Sequence, residues 1–120
     1  MTGLDEAWKR AKLLRNWRPW ADRIVASALR ILSHSLRGVY TFGSIVKGEA
    51  AAASDVDLLI IAEALPKSQR GRSKLKYEIL KGAGLPEANP FQIHLVDERE
   101  AEIYFRHAGD SVIRINRPDH

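Results

Sequence analysis

The run Asp55-Val56-Asp57-Leu58-Leu59-Ile60-Ile61 constrains this chain more than any other stretch. Its β-branched and apolar residues predict a strand, and the strand opens on two carboxylates two residues apart. That spacing puts both on one face, about 7 Å apart along the chain. Two bare carboxylates there repel, and burying them among Val56, Leu58 and Leu59 is costly unless a cation neutralises them. Oxygen-only ligands favour Mg²⁺ or Mn²⁺. The competing arrangement has Asp55 capping the strand end and Asp57 paired with an arginine.

Helical and strand periods alternate around this segment. A helix is predicted over 4–16, with Leu4, Trp8, Ala11 and Leu14 near one stripe, and Pro19 breaks or restarts it. A second helix over 20–35 spaces Ile24, Ala28, Ile31 and Leu32 along one side, with Gly38 just past its end. Residues 39–42 form a short strand closed by Gly43. After a loop containing Pro66, a basic helix over 69–81 buries Leu75 and Ile79, and Pro86 and Pro90 fence the approach to a strand over 91–96. Asp97 then caps a helix that Gly109 ends, and residues 111–116 alternate as an edge strand. The 120 residues suffice for one core and one domain. The fold expected is α/β, a small mixed sheet covered by helices on one face, with the open face left for chemistry.

Gly43-Ser44, upstream of the paired acids, adds a second function. A strand that ends in Gly-Ser and turns into a helix offers backbone N–H groups and a hydroxyl to an anion, with the helix dipole behind them. This is a phosphate cradle, with Lys47 and Gly48 inside it. Glu49-Ala50 stands where a P-loop needs Lys followed by Ser or Thr, so it is no Walker loop. A phosphate cradle followed by a dicarboxylate suits a nucleotide-dependent two-metal site.

Gly43-Ser44-x10-Asp55-x-Asp57, with Lys47-Gly48 in the loop and Ser54 before the first acid, resembles the signature of the minimal nucleotidyltransferases of the DNA polymerase β superfamily. The resemblance runs over residues 20–107 in order of elements and leaves 1–18 as a helical extension. It implies that Gly43, Ser44, Lys47 and Gly48 contact the triphosphate of ATP or another NTP, and that Asp55 and Asp57 hold Mg²⁺. It implies transfer of a nucleotide, usually AMP, to an acceptor hydroxyl with loss of pyrophosphate. Short members of the family are often paired with a separate helical protein of the HEPN type, in some cases as antitoxins that adenylylate a ribonuclease toxin.

Active members also place an acid on a neighbouring strand. Here that strand reads Phe91-Gln92-Ile93-His94-Leu95-Val96, and alternation puts Gln92 and His94 on the face of the paired acids. His94 is the candidate substitute, able as neutral imidazole to ligate a metal or take the acceptor's proton. The competing possibility is a satisfied polar residue at a sheet edge. The missing acid keeps open a catalytically impaired nucleotide-binding module that acts by protein–protein binding.

Composition narrows the rest. Zero cysteines exclude disulfides, zinc ribbons and thiol nucleophiles. No apolar run approaches the roughly 18 residues of a membrane span, and the N-terminus lacks a secretory h-region, so a cytoplasmic protein is expected. Residues 1–40 hold eight bases against three acids, and 66–81 hold six against one. Such faces attract polyanions, RNA included, or are simply solvated.

Overall fold

The computed structural model describes residues 3–43 and 55–115. Helix α1 (Gly3–Arg15) is followed by α2 (Trp17–Leu32), a 3₁₀ turn (Ser33–Ser35), β1 (Leu36–Phe42), β2 (Val56–Ala62), α3 (Gln69–Gly82), β3 (Phe91–Val96), α4 (Glu98–Ala108) and β4 (Val112–Arg114). The strands form one sheet in the order β3-β2-β1-β4. β1 runs antiparallel to β2 and β4, and β2 runs parallel to β3, so the sheet is mixed as expected. The parallel pair needs a crossover, which α3 supplies.

Alternation divides the strands between two faces. Val56, Leu58 and Ile60 of β2 and Phe91, Ile93 and Leu95 of β3 point to one side, where they pack with Ile24, Val25 and Ala28 of α2 and Ile79 of α3. Asp57, Leu59 and Ile61 therefore point to the other. There α4 covers one end, with Ala101, Tyr104 and Phe105 against Leu59, Ile61, Val96, Tyr40 and Phe42. The helical layer of the main core thus faces a second, smaller apolar cluster across the sheet, and among the described residues the end of the sheet carrying Asp57 is left open beside it.

Local boundaries follow from the caps. Pro19 neither breaks nor restarts a helix; it sits at the third position of α2, where its missing N–H falls among the first four that have no intrahelical acceptor. The helix ends at Ser33 (φ +53°), several residues before Gly38, and Gly38 lies inside β1 at a register shift against β2. Ser68 caps α3 by accepting from the Gly71 N–H. Asp97 and Glu100 form a reciprocal capping box on α4, which Gly109 (φ +60°) terminates. Trp8, assigned by its periodicity to the core or the next helix, is instead 60% exposed, and the buried side of α1 is Leu13 and Leu14. Arg72 does not project from a solvated face. It binds the Pro66 carbonyl and the Glu100 carboxylate, tying the start of α3 to α4.

Candidate functional site

The open end of the sheet is built from three neighbouring strands. Asp57 pairs across β1 with Phe42 and across β3 with Gln92, two residues along the register from the Leu59–His94 pair. Because β2 and β3 are parallel with matched register, Asp57 and His94 leave the same face. His94 Nε2 lies 3.2 Å from Asp57 Oδ1, with the two side chains 24% and 32% exposed. The imidazole also stands against two rings, Tyr104 at 5.2 Å and Phe42 at 5.7 Å between centroids. One half-buried wall thus holds a carboxylate, an imidazole and two aromatic rings.

The backbone beside Asp57 is fixed from below and above. The buried hydroxyl of Thr41 donates to the Asp57 carbonyl at 2.9 Å, stapling β1 to β2 at the carboxylate. Gly43 has φ +93°, a conformation that favours glycine, and a Cβ there would lie 3.3 Å from Asp57 Oδ2. The turn therefore passes close over the carboxylate, and a side chain at 43 would crowd it. Ser44, Lys47 and Gly48 lie outside the described residues.

Asp55 is held differently. It precedes β2, and Arg10 of α1 donates to its Oδ1 at 2.6 Å. The paired acids thus take a cationic partner on Asp55 and the imidazole on Asp57. The arginine pairing weighed for Asp57 falls on Asp55 instead, and nothing in the spacing singled out a base 45 residues upstream. Among the described residues no group of three or more His, Cys, Asp and Glu side chains is gathered tightly enough to hold a metal.

The model of the nucleotidyltransferase domain matches residues 23–106. The chain belongs to that family. The matched span begins inside α2 and ends inside α4, so the nucleotidyltransferase carries α1, with Arg10, outside it. Among solved structures it is similar in fold to a Sulfolobus solfataricus protein assigned to the nucleotidyltransferases, with TM-score 0.56 and 17% identity over 97% of this chain and 87% of that one. It is similar to a toxin–antitoxin structure with AMP-PNP, with TM-score 0.54 and 20% identity over 80% and 73% of the two chains. The toxin–antitoxin pair MntA-HpeT, in a form carrying two Asp-to-Glu substitutions two residues apart, matches with TM-score 0.51 and 18% identity over 78% and 70%. No match is found among curated proteins.

The donor set fits a divalent cation of the kind such transferases use. Two carboxylates from one strand end supply hard oxygen ligands, and an ion of this type keeps water and phosphate oxygens for the remaining positions. One oxygen of Asp55 is taken by Arg10 at 2.6 Å, so the guanidinium competes with an ion for it. His94 stands beside Asp57 without completing a three-ligand group with the paired acids among the described residues.

Proposed function

We propose that this nucleotidyltransferase moves AMP from ATP to a hydroxyl of a separate partner protein and releases pyrophosphate. The observation that carries the reading is the Asp57–His94 pair at the open end of the sheet, directly beneath the Gly43 turn. Asp55 and Asp57 would hold Mg²⁺ or Mn²⁺, and Gly43, Ser44, Lys47 and Gly48 would hold the triphosphate. A bound divalent ion supplies Lewis acidity at the α-phosphate. A neutral His94 that donates from Nε2 to Asp57 keeps Nδ1 bare, and Nδ1 is then the atom that takes the acceptor's proton. The acceptor oxygen bonds to the α-phosphorus, and the bond to the β-phosphate oxygen breaks.

Two similarities support the donor and the partner. One structural relative is a toxin–antitoxin structure with AMP-PNP, an ATP analogue. Another carries its substitutions in an acid pair with the spacing of Asp55 and Asp57. Because these relatives are toxin–antitoxin structures, a separate helical partner of the HEPN type in the cytoplasm completes the reading. No described helix is long and apolar enough to cross a membrane. A second reading, a nucleotide-binding module without catalysis, is favoured by the lack of a three-ligand acidic cluster among the described residues.

The deciding experiment follows release of labelled pyrophosphate from ATP by the chain together with the protein that co-purifies with it. Transfer of AMP to that protein, lost in Asp57→Asn, is expected. Mg·ATP binding without transfer to any native partner would leave only the module.

A further inference from the structure

Beside the Asp57–His94 wall lies a cavity of about 400 Å³ between the end of β1 and one side of α4. This is within the size range of small-molecule sites. Phe42, Gly43, Tyr104, Ile103 and His107 line it. Phe42 is the cross-strand partner of Asp57, so the cavity begins one residue pair from the carboxylate. Ile103 is 55% exposed, an apolar side chain at the rim. His107 Nδ1 donates to the Ile103 carbonyl at 2.9 Å, which leaves Nε2 of the neutral ring as an acceptor.

We propose that this cavity receives the purine base of the nucleotide whose phosphates lie at Asp57, and that His107 favours a base with an exocyclic amino group. The proposal rests on the nucleotide reading above and adds the place of the base. Phe42 and Tyr104 offer ring faces, Ile103 covers the base edge, and His107 Nε2 accepts from the amino group. Hypoxanthine, which presents a carbonyl in place of adenine's amino group, meets an acceptor with an acceptor. Base–aromatic stacking of the usual strength makes ATP bind about 5- to 150-fold more tightly than tripolyphosphate. A single half-exposed hydrogen bond separates ATP from ITP by about 2- to 10-fold.

The test is calorimetry of the whole chain with Mn²⁺ and, in turn, ATP, ITP and tripolyphosphate. Ile103→Ser and His107→Ala alter exposed side chains, so folding is retained, and circular dichroism checks it. The parent should prefer ATP to both other ligands; Ile103→Ser should lower ATP affinity and leave tripolyphosphate unchanged, and His107→Ala should abolish the preference for ATP over ITP. If ATP and tripolyphosphate bind the parent equally, or if the advantage of ATP survives both substitutions, the cavity does not hold the base, although the triphosphate site stands; an aromatic side chain of the acceptor would then be its occupant. If neither ATP nor tripolyphosphate binds, the nucleotide reading itself falls and takes this proposal with it.

Discussion

Removing Arg10 should strengthen metal binding if Asp55 is a ligand as proposed, because the guanidinium occupies an oxygen that the divalent ion would use. The Arg10–Asp55 contact is short, 2.6 Å, but Asp55 is 55% exposed and Arg10 24% exposed. At 4 Å a unit pair is worth about 1 kcal/mol in water and about 4 kcal/mol at an effective dielectric constant of 20. The exposure of Asp55 places this pair near the aqueous limit, where measured ion pairs give about 0.2–1 kcal/mol. Releasing Asp55 from that pair corresponds to a gain in metal affinity of about 1.4- to 5-fold in Arg10→Ala. The loss of a positive charge near the incoming ion acts in the same direction. Calorimetric titration with Mn²⁺ in the absence of nucleotide measures the effect, with Asp55→Asn as the control that weakens binding whether or not Arg10 is present. The same substitution should lower unfolding free energy by no more than the pair contributed. An Mn²⁺ affinity that is unchanged or weaker in Arg10→Ala would show that Asp55 does not have to leave the arginine, and the competition would be wrong.

Three further outcomes are expected. Gly82→Ala should destabilise the domain by about 1–3 kcal/mol in urea unfolding, since the new Cβ would lie 2.4 Å from the buried Ser27 Oγ; in Gly82→Ala/Ser27→Ala the nearest Ser27 atom would be the Cβ at 3.5 Å, so the double variant should be more stable than the sum of the single effects predicts. Thr41→Val should cost about 1 kcal/mol by removing the hydroxyl donor to the Asp57 carbonyl, and Mg·ATP affinity should fall with it if that bond positions the carboxylate. His94→Ala should reduce AMP transfer by about 10²-fold or more while Mg·ATP still binds, and His94→Asp should preserve transfer; equal pyrophosphate release by the parent and His94→Ala would remove the imidazole from the chemistry.

Elements whose signals are local were legible in the sequence. The strand over 91–96 has bounds set by Pro90 and by the Asp97 cap, and α3 by Ser68 and the glycines after it, so side-chain chemistry within a few residues decided both. The end of α2 was not legible because Ser33, a residue with no marked preference for left-handed backbone, terminates it, while Gly38 is needed inside β1 for a different reason: a Cβ there would press on the Tyr40 ring at 3.2 Å. Trp8 misled because it stays 60% exposed, with the Arg15 guanidinium of its own helix over its ring. Periodicity shows that a helix has an apolar stripe, not that another element lies over it.

The site divides along the same line. Strand alternation alone put His94 on the face of Asp57, because parity in two paired strands is a sequence property once the register is known. Arg10 and Tyr104 reach the same site by tertiary packing of helices at the two ends of the chain, and no spacing rule links them to the paired acids. Their placement also explains how a wall with so few acids remains polar and ordered. Asp55 is paired with a base from outside the family span, and Asp57 is hydrogen-bonded by an imidazole that stands against two aromatic rings. Asp55 thus has a cationic partner and Asp57 a hydrogen-bonding one, and the two partners differ in what they can do. In the proposed site the guanidinium would yield Asp55 Oδ1 to an ion, whereas the imidazole would remain beside Asp57 and act on the acceptor. On the proposed reading the two halves of the acid pair are unequal: Asp55 would set how readily the ion enters, and Asp57 with His94 would set what happens to the proton.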